Sequence, residues 1–215
     1  MKFDQLLRRF IYLPACCVIV FILLYILATF YYPGGSFNDK NSIGFSWKEN
    51  YWCELISPIA KNGQINNAYF ISLLATLTLL FGISIFWIIA ARVFSRNSFT
   101  SRIIIVCGIA SMLTGLLLYT GKYHDAIMNL AGMFGMIAFI LLLFQVRLQQ
   151  RYLFLWGCVC IASCLFINTV YYTGFWIEHL GWIQKITFLV FLSWFFITNI
   201  YSARVLNKNL EASIY

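Results

Sequence analysis

Charge is what this chain has least of. Only 10% of its 215 residues are Asp, Glu, Lys or Arg, against roughly a quarter in soluble domains, which excludes an ordinary water-soluble globule. Acids are the scarcer sign, seven against fifteen basic residues, for a net charge of +8. The basic residues stand singly between long apolar runs, so they report membrane topology and exclude a nucleic-acid partner. Histidine occurs twice and proline three times. No glycine-rich phosphate loop follows a strand, and no Asn-x-Ser/Thr acceptor occurs. No ionisable residue lies deep in any apolar run, and Lys185, near the end of one, is expected to snorkel outward. Proton-coupled carriers and voltage sensors need charges at membrane depth, so their absence argues against ion-driven transport.

What is present is apolar: 62% hydrophobic residues, 19% aromatic. A helix crosses a hydrocarbon core about 30 Å thick with roughly 20 apolar residues. Six stretches meet that length: Phe10 to Tyr32, Asn67 to Ala91, Ile103 to Thr120, Ala126 to Val146, Tyr152 to Thr173 and Trp182 to Ala203. They lack internal turn residues and the alternation of a membrane barrel, which predicts helices. The expected fold is therefore all-α: one polytopic domain over residues 1–215, with six spans arranged as three helical hairpins. The first span is too long for a cleaved signal and reads as a retained anchor, with Pro14 in its first turns.

Counting cations predicts the orientation. Lys2, Arg8, Arg9, Arg92, Arg96, Arg102, Arg147, Arg151, Arg204 and Lys208 fall on one side, and Lys40, Lys48, Lys61, Lys122 and Lys185 on the other. Asp39, Glu49, Glu54, Asp125 and Glu178 join the second set. The positive-inside rule then puts both termini in the cytoplasm, and the expected location is a bacterial inner membrane.

The one substantial connection is the outer segment, residues 33–66. It opens Tyr32-Pro33-Gly34-Gly35, a turn that ends the first span. Ser46 with Glu49 forms a capping-box start. From there Trp47, Tyr51, Trp52, Leu55, Ile56 and Ile59 share one helical face, and Glu49, Asn50, Cys53, Glu54 and Ser57 the other. This predicts a short amphipathic helix, ended by Pro58, lying in the outer interface as a lid or a lipid gate.

A short repeat directs attention to the same side. Spans one, three and five end Tyr32-Pro33-Gly34, Tyr119-Thr120-Gly121 and Tyr172-Thr173-Gly174. The last two are followed by Tyr123-His124-Asp125 and Trp176-Ile177-Glu178-His179, so each histidine has a carboxylate beside it. Asn129 and Asn168 lie one helical turn inside. If these ends converge, Glu54, Asn129, Asn168, Tyr172, Glu178 and His179 line an outward pocket around His124 and Asp125. That pair is the candidate for acid–base catalysis. The bland alternative is hydrogen bonding between helices and ordinary interfacial polarity. No ligand spacing is diagnostic of a metal, and no cofactor is expected.

Six of the seven cysteines lie within spans as small apolar residues, and Cys53 alone is in the outer segment, so no intrachain disulfide is expected. Ser111 with Gly115 and Ala131 with Gly135 are small-xxx-small pairs that predict close approach of the third and fourth spans, with Gly82 serving likewise in the second. Met128, Met133 and Met136 are expected to fill gaps between helices.

The Tyr32-Pro33-Gly34-Gly35 turn, the acidic-aromatic outer segment and His124-Asp125 opening the fourth span resemble small bacterial six-span membrane proteins without an assigned reaction. More distantly, they resemble the DRAM-like membrane family. The likeness departs at Asn66-Asn67-Ala68, which lacks an expected Asn-Pro. It implies a six-helix fold and no particular activity. Three functional readings follow. The first is a non-enzymatic accessory, scaffold or lipid-interacting subunit, with membrane lipids and a membrane protein as partners. The second is an enzyme acting on lipid headgroups, and the third a channel or facilitator for a neutral solute.

Overall fold

A computed structural model describes residues 9–95, 97–120 and 123–211. Lys2, Arg8, Arg96, Gly121 and Lys122, which enter the charge count or the turn motif, lie outside the described residues. The chain is an all-α, multi-pass integral membrane protein. Its long helices are α1 (Leu13–Tyr31), α2 (Tyr69–Phe94), α3 (Ser98–Leu116), α4 (His124–Arg147), α5 (Arg151–Thr173) and α6 (Leu180–Glu211). All six are long and apolar enough to cross a bilayer.

Helix ends differ from the apolar runs where capping decides them. α3 starts ahead of Ile103 because the Asn97 side chain accepts the Phe99 N–H at 2.8 Å. α6 continues beyond Ala203 because nothing from Arg204 to Glu211 breaks a helix. Burial within the spans is uneven. The apolar windows of α1 and α2 are each 44% buried, that of α3 only 17%. The less buried helices turn most of their apolar surface outward, as lipid or a protein partner allows and water does not.

Packing divides the chain into two compact units, residues 1–19, 78–157 and 193–215 in the first and 20–77 and 158–192 in the second. The core of the first is aromatic. Phe139 packs on Trp194 at 4.5 Å between ring centroids, and Phe86 meets Phe195 edge-on at 4.8 Å. The Trp194 indole donates to the Leu153 carbonyl at 2.8 Å. A Cβ on Gly108 would strike the buried Trp87 ring, so this glycine is what seats it. α3 and α4 approach closely at the predicted small residues: the Ser111 hydroxyl donates to the Ala131 carbonyl at 2.7 Å, opposite Gly135. Gly82 likewise gives Cys17 its room. Met128 and Met133 are 46% and 51% exposed. They face outward rather than filling gaps, whereas Met136 is half-buried.

The start of α1 is repaired by a distant amide. Pro14 carries no N–H, and the turn around it does not close its own ladder. Asn199, fully buried on α6, donates from Nδ2 to the Ile11 carbonyl at 3.1 Å and accepts the Ala15 N–H on Oδ1 at 3.3 Å. It therefore stands between a donor and an acceptor that a regular helix would pair directly. Replacing Asn199 by the similarly sized Leu strands both backbone groups in apolar surroundings. The expected loss is about 2–4 kcal/mol, read as a lower Tm in detergent. A variant that melts with the wild type would show the inserted amide to be dispensable.

Candidate functional site

The second unit contains residues 33–66, the outer segment of the predicted orientation, and its organisation begins at Tyr32-Pro33-Gly34-Gly35. Gly34 and Gly35 have φ of 137° and 81°, a region that glycine occupies without steric cost. A Cβ on Gly35 would collide with the backbone of Lys61 and Asn62, and one on Gly34 with the Ser42 carbonyl. The backbone of this turn is gripped from both sides. Gly35 N–H donates to Ser42 at 2.8 Å, and Asn62 N–H donates to Gly34 at 3.3 Å. The buried Tyr32 hydroxyl donates to the Gly35 carbonyl at 3.2 Å and accepts the Lys61 N–H at 3.1 Å. The motif thus joins the two ends of the segment rather than merely terminating a span.

Behind this turn lies a buried polar cluster of Asn50, Glu54 and Lys185. Asn50 is fully enclosed and uses every side-chain group. Its amide donates to the Gly35 carbonyl at 2.7 Å and to Glu54 Oε2, and its Oδ1 accepts the Ser46 N–H at 2.7 Å. Lys185, 6% exposed, donates from Nζ to the Asn50 carbonyl and to the Gly181 carbonyl, the latter at 2.9 Å. Its ammonium lies 5.3 Å from the Phe45 ring centroid and 5.8 Å from that of Trp52, a cation–π arrangement. Next to it Gln184 accepts the Trp52 N–H at 2.9 Å. A Cβ at Gly181 would press on the Lys48 and Glu49 carbonyls, so this glycine lets the segment lie against α6.

Two expectations are corrected here. The segment forms no amphipathic α-helix; its only regular helix is a single 3-10 turn, Trp52–Ile56. Tertiary partners take the groups an α-helix would use. Lys185 claims the Asn50 carbonyl, Gln184 claims the Trp52 N–H, and Glu54 N–H turns to the Tyr51 carbonyl. The predicted division into faces is accordingly lost: Asn50 and Glu54 are buried together with Leu55, while Trp47 and Ile59 are about half exposed. Half of the capping box survives, since Ser46 Oγ accepts the Glu49 N–H at 3.3 Å, but the Glu49 carboxylate accepts from Ser36 instead. Lys185, in turn, does not snorkel. Two carbonyls and two rings inside the protein replace its water. Asn66 holds the far end, donating to the Leu55 and Ser57 carbonyls at 3.1 and 2.7 Å, and Ser72 of α2 donates to Leu55 at 2.6 Å.

Of the predicted site residues, Glu54 alone is enclosed, 4% exposed. Burial raises its carboxyl above the usual range, opposed by the Asn50 hydrogen bond and more weakly by Lys61 and Lys185. Its Oε1 and the nearby-in-sequence Trp52 Nε1 are buried with no hydrogen-bond partner. The other residues are exposed, except His179, which is half-buried with its Nδ1 enclosed and unpartnered. His124 Nδ1 meets Asp125 Oδ1 at 3.1 Å, with the side chains 50% and 67% exposed. His179 Nε2 lies 3.6 Å from Glu178 Oε1, at 39% and 58%. Asn129 and Tyr172 are exposed, and the Asn168 amide turns back to the Cys164 carbonyl of its own helix at 2.8 Å. Both outer turns share an unusual feature: Tyr123 and Trp176, each just before a histidine-bearing helix start, adopt left-handed φ of 54° and 62°. This geometry gives the short repeat a conformational counterpart, at a cost of order 1–3 kcal/mol each.

Sequence reasoning singled out Glu54 and missed Asn50, Gln184 and Lys185 as its companions. The available signal was Lys185 itself, a cation inside the apolar start of a span. Among the described residues, no group of three His, Cys, Asp or Glu side chains is placed to hold a metal ion. No protein-family model, curated protein or solved structure matches the chain.

Two outcomes follow from this burial. Enclosure, then the Glu54 charge, pushes the Cys53 thiol up to about 11. Alkylation of Cys53 by a charged iodoacetamide should therefore climb about tenfold per pH unit from 7 to 10 without levelling. Lys185→Met, which unlocks the segment, should speed labelling at pH 7 at least tenfold, and equal rates would refute the lock. For Glu54 the folded-state value lies above the unfolded one. Its contribution is complete below the ordinary carboxyl range and is lost as pH rises through the raised value. Melting between pH 4.5 and 8 should show wild-type Tm declining upward from the acid end, and Glu54→Gln should remove that decline.

Proposed function

We propose that this chain is a non-enzymatic, lipid-interacting membrane protein, an accessory or scaffold subunit whose outer segment is a rigid cap. The carrying observation is how its polar groups are spent. Asn50, Glu54 and Lys185 are enclosed, and their hydrogen bonds hold the cap to α6. Among the described residues, the His–carboxylate pairs are sequence neighbours at helix starts, His124 with Asp125 and His179 with Glu178. Extensive outward apolar surface on α3, α4 and α5 supports lipid or a membrane protein as the partner. The excess of Arg and Lys near the termini and the Arg92–Arg102 and Arg147–Arg151 connections supports a cytoplasmic location of both ends. A bacterial inner membrane suits that arrangement, and the DRAM-like resemblance is part of the same proposal.

A second reading, headgroup chemistry, has the 3.1 Å contact of His124 with Asp125 in its favour. One experiment separates the two. Purified protein in vesicles of mixed phospholipids is incubated and the lipids are profiled by mass spectrometry. The expected outcome is no turnover beyond empty vesicles, together with lipid retained through delipidation. Turnover that disappears in His124→Ala but persists in Lys40→Ala would establish the enzyme instead.

A further inference from the structure

The last turns of α6 carry a feature that the cap does not use. Gln150, Tyr201, Arg204, Val205, Asn207 and Lys208 line an open surface cavity of about 550 Å³ within the first unit, with Arg204 and Lys208 at its exposed rim. Tyr201, Arg204, Val205 and Lys208 fall at i, i+3, i+4 and i+7, so they share one face of the helix. The two charged members are both cations, and no acid lines the cavity among the described residues. The polar wall is pre-positioned. The Tyr201 ring stacks on Phe94, with centroids 5.8 Å apart and 14° between planes, and its oxygen accepts the Gln150 amide at 3.0 Å. With that lone pair occupied, the Tyr201 O–H is left to donate. No charged residue occurs from Ile186 to Ala203, so Arg204 is the first charge beyond the apolar run, at the depth where headgroups lie.

A guanidinium, an ammonium, a phenol and an amide around one space, with no acid among the described residues lining it, form a donor set for an oxyanion. We propose that this cavity binds a phosphate ester anion, the headgroup of an anionic phospholipid or a free phosphate compound. Arg204 and Lys208 supply charge, and Tyr201 supplies a directed donor. The cavity falls within the range of ordinary ligand sites, about 300–1,000 Å³, larger than a bare ion needs and suited to a headgroup. The inference stands apart from the outer cap, none of whose residues it uses.

The test is native mass spectrometry of protein released from micelles holding equal phosphatidylglycerol and phosphatidylcholine. Wild type should retain phosphatidylglycerol preferentially, by roughly five- to thirty-fold for two interfacial cations. Arg204→Gln with Lys208→Gln should bring that preference to near unity, and Tyr201→Phe should weaken it about threefold. Arg102→Gln with Arg147→Gln, exposed and outside the cavity, removes the same charge and should leave the preference largely intact. A parallel melt in lipid-free detergent with inorganic phosphate distinguishes the sources. A Tm increase in wild type, absent from Arg204→Gln/Lys208→Gln and unaccompanied by lipid retention, assigns the site to a free phosphate. No preference and no Tm increase would overturn the proposal. So would an equal loss in the Arg102/Arg147 variant, which would reduce the effect to general surface charge.

Discussion

An ammonium withdrawn from water must be given oxygen, and meeting that demand at Lys185 organises the outer segment. The Asn50 carbonyl that Lys185 takes is the acceptor an α-helix would need for Glu54 N–H, so satisfying the cation and forming the helix are incompatible. Burying a charge without partners costs far more than the few tenths of a kcal/mol per residue at stake in helix propensity. The charge wins, and the segment settles into a 3-10 turn with Asn50 facing inward. Once inward, the Asn50 amide meets the Gly35 carbonyl, and Gly35 is tied through Tyr32 to Lys61. A single desolvated group thereby fixes the conformation of residues far from it in sequence.

The first unit solves the same problem without charge. A spanning helix has no water to complete a broken ladder, so the Ile11 carbonyl and the Ala15 N–H, which part beside Pro14, require replacement partners from within the protein. Asn199 supplies a donor and an acceptor from one planar amide, which a hydroxyl could do only through a single oxygen. Ser111 makes the milder version, one hydroxyl to one carbonyl where α3 and α4 are closest. In each case a short polar side chain is buried at a crossing and gives that crossing a register that apolar packing alone would leave loose.

This explains which parts of the molecule were legible in the sequence. The spans were, because length and unbroken hydropathy are local properties that the bilayer reads directly. The small residues of α3 and α4 were legible for a similar reason: spacing along each helix suffices to place them on one face. The outer segment was not. Its pattern of Trp47, Tyr51, Trp52 and Leu55 satisfies helical periodicity, but periodicity counts only the segment's own residues. The deciding groups, Gln184 and Lys185, lie some 130 positions further on. Lys185 is visible as an anomaly in the sequence, but the commonest fate of a lysine near a span end is to snorkel. Asn199, an amide in an apolar run, carried a comparable signal. A polar residue within a span is thus a statement about an unseen partner, and Pro14 and the polar outer segment were the places to seek those partners.

The candidate site differs in kind from the one the outer turns suggested. His124 and Asp125 are consecutive, so their side chains leave the backbone in diverging directions. Their contact is solvated, with the side chains 50% and 67% exposed. Catalytic pairs are ordinarily shielded from bulk water. Shielding is found instead around Glu54, where burial raises the carboxyl and one oxygen has no partner. An ionised carboxylate with a bare buried oxygen carries an uncompensated desolvation cost, whereas the protonated acid leaves only a neutral group unpaired. The raised titration follows from that difference. Enclosure thus disfavours the charged form of Glu54, while its Oε2 accepts from Asn50 within the cap.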